Sequence, residues 1–397
     1  MDTVTHGIVG SLIAKGYFSE KHGRVAIFAA TLGAVFPDVD VVAEGFSHDP
    51  LAIVKFHRGI THSWIALPVF ALIFAWLTYR IARRFGIETP SWGILTAIYA
   101  IAIGSHIALD GMTSFGTRMW DPISQSRVAW DFLFIIDFVF TAIVLLPQIA
   151  AWVYRDRTKW RTRATWASVV FALATMGVWY LARAVGFPFQ GGTAVVVIGI
   201  ITGEFLFPAL YDPWPDNRAR WCRFGVYAMV AYILACGVAH HAALARVEQY
   251  ASTNNISVER IAAIPLPPSL LDWGGAIRSN DGVYSSRFDL RQTNAPSFSF
   301  RPDSPPDSFT ALAVQLPEVR LYWGFARFPV IRTSMEDGHH VVDFFDQRFI
   351  SRREPQPFTY RVVFDDDGEV IEEGWQSNGN LLRRMQKILH PRRAATQ

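Results

Sequence analysis

Apolar runs of near-constant length crowd the first 245 residues, at about 63–80, 92–109, 132–153, 164–185, 193–210 and 221–243. Each approaches the roughly 20 residues a helix needs to cross a hydrocarbon core about 30 Å thick. Wherever such runs meet lipid they have to satisfy their backbone polar groups internally, as helices. Two shorter runs, about 3–18 and 24–37, precede them and either cross a thin bilayer or dip into it.

Basic residues punctuate these runs unevenly. Lys15, Lys21 and Arg24 fill one connection, Arg80, Arg83 and Arg84 a second, Arg155, Arg157, Lys159, Arg161 and Arg163 a third, and Arg218, Arg220 and Arg223 a fourth. The positive-inside tendency makes these turns cytoplasmic, and about eight crossings then alternate without contradiction. The connections near 38–62, 110–131 and 186–192 fall on the outer side, together with Met1 and everything beyond about residue 246. The expected architecture is a multi-pass, all-α membrane bundle of about eight segments over residues 1–245, followed by a soluble, mainly β domain over residues 246–397.

The composition agrees: 51% of residues are hydrophobic and 18% charged, with the apolar share concentrated in the first part of the chain. A formal charge of +3 without a basic stripe argues against a nucleic-acid partner and leaves membrane lipids as the expected one. The start of the chain lacks the basic region and small-residue cleavage site of a signal peptide, so it is expected to remain in place. Beyond residue 246 a helix is expected through "ARVEQYASTNNISVERIAA", and "GVYSSRFDL", "FTALAVQL", "VRLYWGFARFPVI", "HHVVDFFDQRF" and "FTYRVVFDDDGEVIEEGW" read as strands.

The expected topology collects residues that are scattered in sequence. His6, Asp38 and Asp40 of "FPDVD", His57 and His62 of "FHRGITHSW", His106 and Asp110 of "HIALD", and Asp131 all map to the outer ends of segments or to outer connections. His106 and Asp110 share one helix face. Asp38 and Asp40, after Pro37, point the same way if that piece is a turn or extended. His57 and His62 would splay by ~140° in one helix. Gly59 between them therefore puts His57 in a loop and His62 in the first turn of the next helix, with Thr61 as N-cap.

A lone histidine at a helix end is an ordinary interfacial residue, and a single HxxxD arises by chance. The whole set on one face, beside apolar helices where ionisable groups are expensive, points instead to a metal. With Cys222 and Cys236 the only cysteines, the ligands would be His and Asp, suited to one or two divalent ions, zinc first and manganese second. Asp40 or Asp131 is the candidate general base. Arg58 is placed to hold a substrate anion or lipid headgroups. Asp137, expected two turns inside its segment, either orients a ligand histidine or pairs with a buried arginine. Glu204 reads as a structural hydrogen bonder.

"THGIVGSLIA", "GAVFPDVDVV", "FHRGITHSW", "SHIALDGMTSFGTRMWDP" and "WDFLFIIDFVF" resemble, as an ordered set, the motifs of the YdjM-type family of inner-membrane, metal-dependent hydrolases. The later "LLDW", "FARFPVI" and "VVDFFDQRF" pieces are similar to the C-terminal region of longer members. The resemblance implies metal ligation by His6, Asp38, Asp40, His57, His62, His106 and Asp110, in a bacterial inner membrane. "HIALD" also resembles, more distantly, the helical HxxxD of zinc-dependent phospholipase C; the later HxxxE of those enzymes is not evident. The functional expectation is a membrane-bound hydrolase that cleaves a phosphoester or ester of a lipid or lipid-linked substrate. Its rivals are a metal transporter and a non-catalytic membrane protein whose β domain binds a partner.

Overall fold

The computed structural model describes residues 1–45, 51–184, 218–267, 269–349 and 358–376, with Ser47, Asp49, Gly199, Gly203 and Gln356. His48, the 186–192 connection, the rest of the 193–210 run with Glu204, and the basic C-terminal tail lie outside the described residues.

Helix α1 (Thr3–Tyr17) begins where the Asp2 side chain accepts hydrogen bonds from the Thr5 N–H (2.9 Å) and hydroxyl (2.7 Å). Helix α2 (Ser19–Val35) packs back along α1 and runs through a 3₁₀ turn at Phe36–Asp38 into α3 (Val39–Gly45). Between apolar helices in lipid, small residues allow the close approach that burial from water cannot drive. Gly10 is the clearest case, because a Cβ there would stand 2.4 Å from the Ala30 carbonyl oxygen.

A short helix α4 (Ala52–Lys55) and a 3₁₀ turn at Ile60–His62 lead to α5 (Leu67–Arg84), and α6 (Trp92–Gly111) follows under a Ser91 cap. Ala29, Ala30, Ala34, Ala71, Ala75, Tyr99 and Ala102 form the core among α2, α5 and α6. Helices α7 (Phe138–Val153), α8 (Trp160–Ala184) and α9 (Arg218–Thr253) complete the helical part. Helix α9 packs against α1 and α7, where Gly225 admits Pro147 and Leu12.

Eight crossings are not what these helices support. Among the described residues three stretches are long and apolar enough to span, namely Ser19–Val42, α6 and α9. A fourth is added if Ala52–His62 and α5, bent by 72°, form one broken span. Helices α1 and α7, at 15 and 16 residues, fall short of a hydrocarbon core about 30 Å thick. Helix α8, at 25 residues, is long enough but is not among these stretches. The apolar run expected from residue 132 yields a helix only from Phe138, because Asp137 caps it there.

The C-terminal region is built of antiparallel sheets. Strands β1 (Arg260–Pro265), β2 (Asp272–Ser279), β3 (Gly282–Asp289) and β4 (Phe298–Pro302) form one in sequential order. Helices α10 (Ser308–Ala313) and α11 (Pro317–Phe325) separate it from a second meander of β5 (Pro329–Glu336), β6 (His339–Asp346), β7 (Tyr360–Phe364) and β8 (Val370–Trp375). The first sheet leans on the end of α9, with Trp273 and Ile277 against Val247 and Ala251. The second core joins Tyr322, Phe344 and Tyr360 to Leu51, Val54 and Phe115 of the helical part.

Two pieces read as strands are helical. "FTALAVQL" becomes α10 because Asp307 caps it, accepting from the Thr310 N–H at 2.6 Å. "VRLYWGF" becomes α11, started by Pro317, with Val319, Tyr322 and Phe325 buried along one side at a spacing of three. Only part of "ARVEQYASTNNISVERIAA" is helical. Helix α9 stops at Thr253, Asn255 takes a left-handed conformation (φ 52°), and β1 starts at Arg260.

Candidate metal centre

The end of α2, the 3₁₀ turn before α5 and the last turns of α6 meet at one point. There Asp38, His62, His106 and Asp110, all buried, each offer a ligand atom, and these atoms lie within 4.8 Å of one another. His62 Nε2 stands 3.0 Å from His106 Nε2, 3.2 Å from Asp110 Oδ2 and 3.5 Å from Asp38 Oδ1. His106 Nε2 is 3.4 Å from Asp38 Oδ1 and 3.5 Å from Asp110 Oδ2. The four-residue spacing of His106 and Asp110 works as expected, since both face inward from α6.

Further groups orient these four. His106 Nδ1 donates to the Ala34 carbonyl (2.6 Å), so Nε2 turns its lone pair to the cluster. Thr3 Oγ1 donates to Asp38 Oδ2 (2.6 Å). His6 lies flat on His106, ring centroids 3.6 Å apart, and its Nε2 is 3.1 Å from Asp110 Oδ1, a carboxyl oxygen that the Met1 amino group also contacts.

Asp40 and His57 form the outer edge. His57 Nδ1 bonds Asp40 Oδ1 at 3.1 Å, and Asp40 Oδ2 accepts from the Arg58 N–H (2.9 Å) and the Thr61 hydroxyl (3.2 Å) and lies 3.3 Å from His62 Nδ1. His57, at 13%, is the most exposed of these side chains; Asp38 and Asp40 are 7% and 8% exposed, and His6, His62, His106 and Asp110 are 0% exposed.

The local geometry meets one expectation in part and departs from another. Of the turn and the extended piece expected at Asp38 and Asp40, the turn is found: Asp38 closes a 3₁₀ turn, and Asp40 lies in the first turn of α3. His62 closes its own 3₁₀ turn, and Thr61 bonds Asp40 instead of capping the following helix, which starts at Leu67 behind Ala66.

Three sequence candidates lie elsewhere in the network. Arg58 (φ 58°) points inward. Its Nε is 2.9 Å from Asp110 Oδ2 and its Nη1 donates to Thr113 Oγ1 (2.7 Å) and the Asp110 carbonyl (3.2 Å), so it holds Asp110. Asp131 (φ 58°) takes both Nη of Arg327 at 2.8 Å. Asp137 caps α7 through Oδ1 and accepts from the Tyr232 and Ser269 hydroxyls through Oδ2, tying α7, α9 and the C-terminal region together.

The donor set fits a metal ion. Two carboxylates and two imidazoles converge in a buried volume, and Asp110 Oδ2, although paired with the Arg58 guanidinium, accepts no well-aligned hydrogen bond there. Acceptors this close together and shielded from water are costly unless a cation lies among them. Thr3, Thr61 and the Ala34 carbonyl carry no motif of their own and are not visible as participants in the sequence.

Fold and site define a helical membrane protein with a buried His/Asp cluster able to hold a metal ion. Residues 1–187 match the family model of the YdjM inner membrane protein, so this part of the chain is similar to that inner-membrane family. The match ends before the C-terminal sheets. No curated protein and no solved structure matches the chain.

Proposed function

We propose that the protein is a membrane-bound, metal-dependent hydrolase acting on a phosphoester or ester of a lipid or lipid-linked substrate. The observation that carries this reading is the convergence of Asp38, His62, His106 and Asp110 on one buried point. A divalent ion held there, zinc before manganese, supplies Lewis acidity that lowers the pKa of water and polarises an ester.

The chain's own residues do the rest. His6 and Arg58 fix Asp110, the Ala34 carbonyl fixes His106, and Thr3 fixes Asp38, so the donor set is organised before substrate arrives. The Asp40 carboxylate, at the open edge beside His57, is the group in place to take a proton from attacking water. The exposed side chains of Phe56, Ile60 and Trp120 nearby favour a substrate with an apolar part.

The test is release of phosphate or acid from a panel of phospholipids and lipid phosphates by detergent-purified protein, beside a His106→Ala, Asp110→Ala variant of confirmed fold. Metal-dependent release lost in the variant is expected. A stoichiometrically metal-loaded protein that cleaves none of the panel overturns the proposal.

A further inference from the structure

The basic ends of α1, α2 and α9 lie together, where Arg223 packs on Gly16 and reaches Glu20 at 3.6 Å. From that end the helices carry the metal centre only part of the way across a bilayer. The rise from Lys15 to His6 along α1 is about 14 Å, and that from Arg24 to Asp38 along α2 about 21 Å. A hydrocarbon core is about 30 Å thick, so the centre stops short of its far side.

The surface around the centre matches that depth. In the connection from α6 to α7 the exposed side chains include Trp120, Ile123, Trp130, Ile135 and Phe138, with Gln125 and Ser126 the polar ones. Its charged residues Arg118, Asp121, Arg127, Asp131 and Asp137 are all half-buried or buried. Arg118 and Arg127 direct their Nη–H groups to the Val54, His57 and Gly116 carbonyls, at 2.7–3.3 Å. Asp131 is held by Arg327, and Asp137 by Tyr232 and Ser269. A connection in water has the reverse pattern, with charged side chains outward and large apolar ones turned in. Single exposed apolar residues are ordinary, but a continuous apolar exterior over charges satisfied from within suits lipid.

The preceding connection extends this surface. Phe56 and Ile60 are exposed on either side of the buried Arg58. The Arg118 N–H donates to the Arg58 carbonyl (3.0 Å) and the Trp64 N–H to the Met119 carbonyl (3.0 Å), which joins the segment of Phe56 and Ile60 to that of Trp120 and Ile123. Phe132 meets His240 of α9, ring centroids 5.5 Å apart, and beside it Val238 is 73% exposed. Helix α9 rises about 22 Å from Arg223 to Val238, so its own apolar exterior reaches the level of the connection.

We propose that the two connections around the metal centre are embedded in the bilayer leaflet opposite the basic helix ends. Phe56, Ile60, Trp120 and Ile123 then face acyl chains, and the His57 edge is reached from the lipid instead of from water. The use of that route by a substrate rests on the hydrolase reading, while the embedding is measured without turnover.

The full-length protein is placed in vesicles of phosphatidylethanolamine and phosphatidylglycerol, and nitroxide labels are attached at Ile60→Cys and Ile123→Cys. Cys222 and Cys236 are buried, and the wild type is the labelling blank. Ile101→Cys, exposed in the middle of α6, gives the lipid reference, and Gln249→Cys, at the polar end of α9, the aqueous one. Metal content and melting temperature identify variants that remain folded. Power saturation is expected to show oxygen accessibility above that of a water-soluble nickel chelate at both Ile60 and Ile123, as at Ile101, and the inverse at Gln249. Nickel accessibility matching Gln249 at either residue overturns the embedding. So does shielding from both oxygen and nickel, which means that protein covers the patch. Lipid-exposed labels on a metal-loaded protein that hydrolyses no lipid overturn the hydrolase reading and leave the embedding standing.

Discussion

Arg327 grips Asp131 with both Nη atoms, each 2.8 Å from a carboxylate oxygen, and so clamps the C-terminal sheets to the connection that follows α6. Asp131 is 5% exposed in this pair, which makes it a docking residue before it is a base. Asp131→Asn is expected to lower stability by about 2 kcal/mol, because it leaves the arginine unpaired at a largely buried contact. Metal content should not change. Thermal unfolding and metal analysis on the same sample check this, and loss of metal would return Asp131 to the centre.

Removal of a ligand should empty the site. His106→Ala and Asp110→Ala are each expected to abolish stoichiometric metal binding, whereas His57→Ala, at the outer edge, should weaken it less. Mass spectrometry of metal content in folded protein gives the ranking. Equal loss in all three would mean that the edge pair is part of the inner set.

Thr3→Val removes the hydroxyl that orients Asp38 and touches no other member of the cluster. Outer groups of this kind typically contribute 10–100-fold in metal affinity. A loss of about tenfold, seen by chelator competition, is expected.

Chelation should destabilise the folded protein by mass action. At free metal about 100 times the dissociation constant the bound ion contributes about 2.7 kcal/mol. The melting temperature is expected to fall on chelation and to recover on adding back zinc, and it should be insensitive to both in His106→Ala.

Asp272 lies opposite Asp289 across β2 and β3, and burial, then the Asp289 charge, raises its pKa above the ordinary carboxyl value. A carboxyl raised on folding holds its proton longer in the folded state. Its contribution is therefore full below the unfolded pKa and lost as pH rises through the folded one. Asp272→Asn is expected to stabilise the protein at pH 7 by about 0.5 kcal/mol, the scale of a cross-strand charge pair, and to do nothing at pH 3. Melting curves at the two values test the sign.

Much of this molecule is legible along the chain because its signals are local. Apolar runs demand helices in lipid, alternation marks β3 and β6, and the spacing of His106 and Asp110 puts both on one face of α6. Local signals also mislead where a single cap outweighs them: Asp137 starts α7 six residues into an apolar run, and Asp307 and Pro317 turn two strand-like stretches into helices. The run lengths likewise suggest more crossings than the helices support, because length in sequence does not show where a cap or bend interrupts the helix.

Sequence alone determined the residue types of the centre and the helical context that makes them expensive to keep. Only the tertiary structure decided which of them converge, because convergence depends on how α1, α2 and α6 cross, and that is set by contacts such as Gly10 on Ala30. It placed Asp38, His62, His106 and Asp110 at one point, Asp40 and His57 at the rim, and Asp131 and Asp137 at joints between regions. It also turned Arg58 inward onto Asp110 and left Arg118 and Arg127, which no motif marks, beside the His57 edge. Charge partners are chosen by proximity in space, and spacing along a chain carries that information only within a helix turn or across a hairpin.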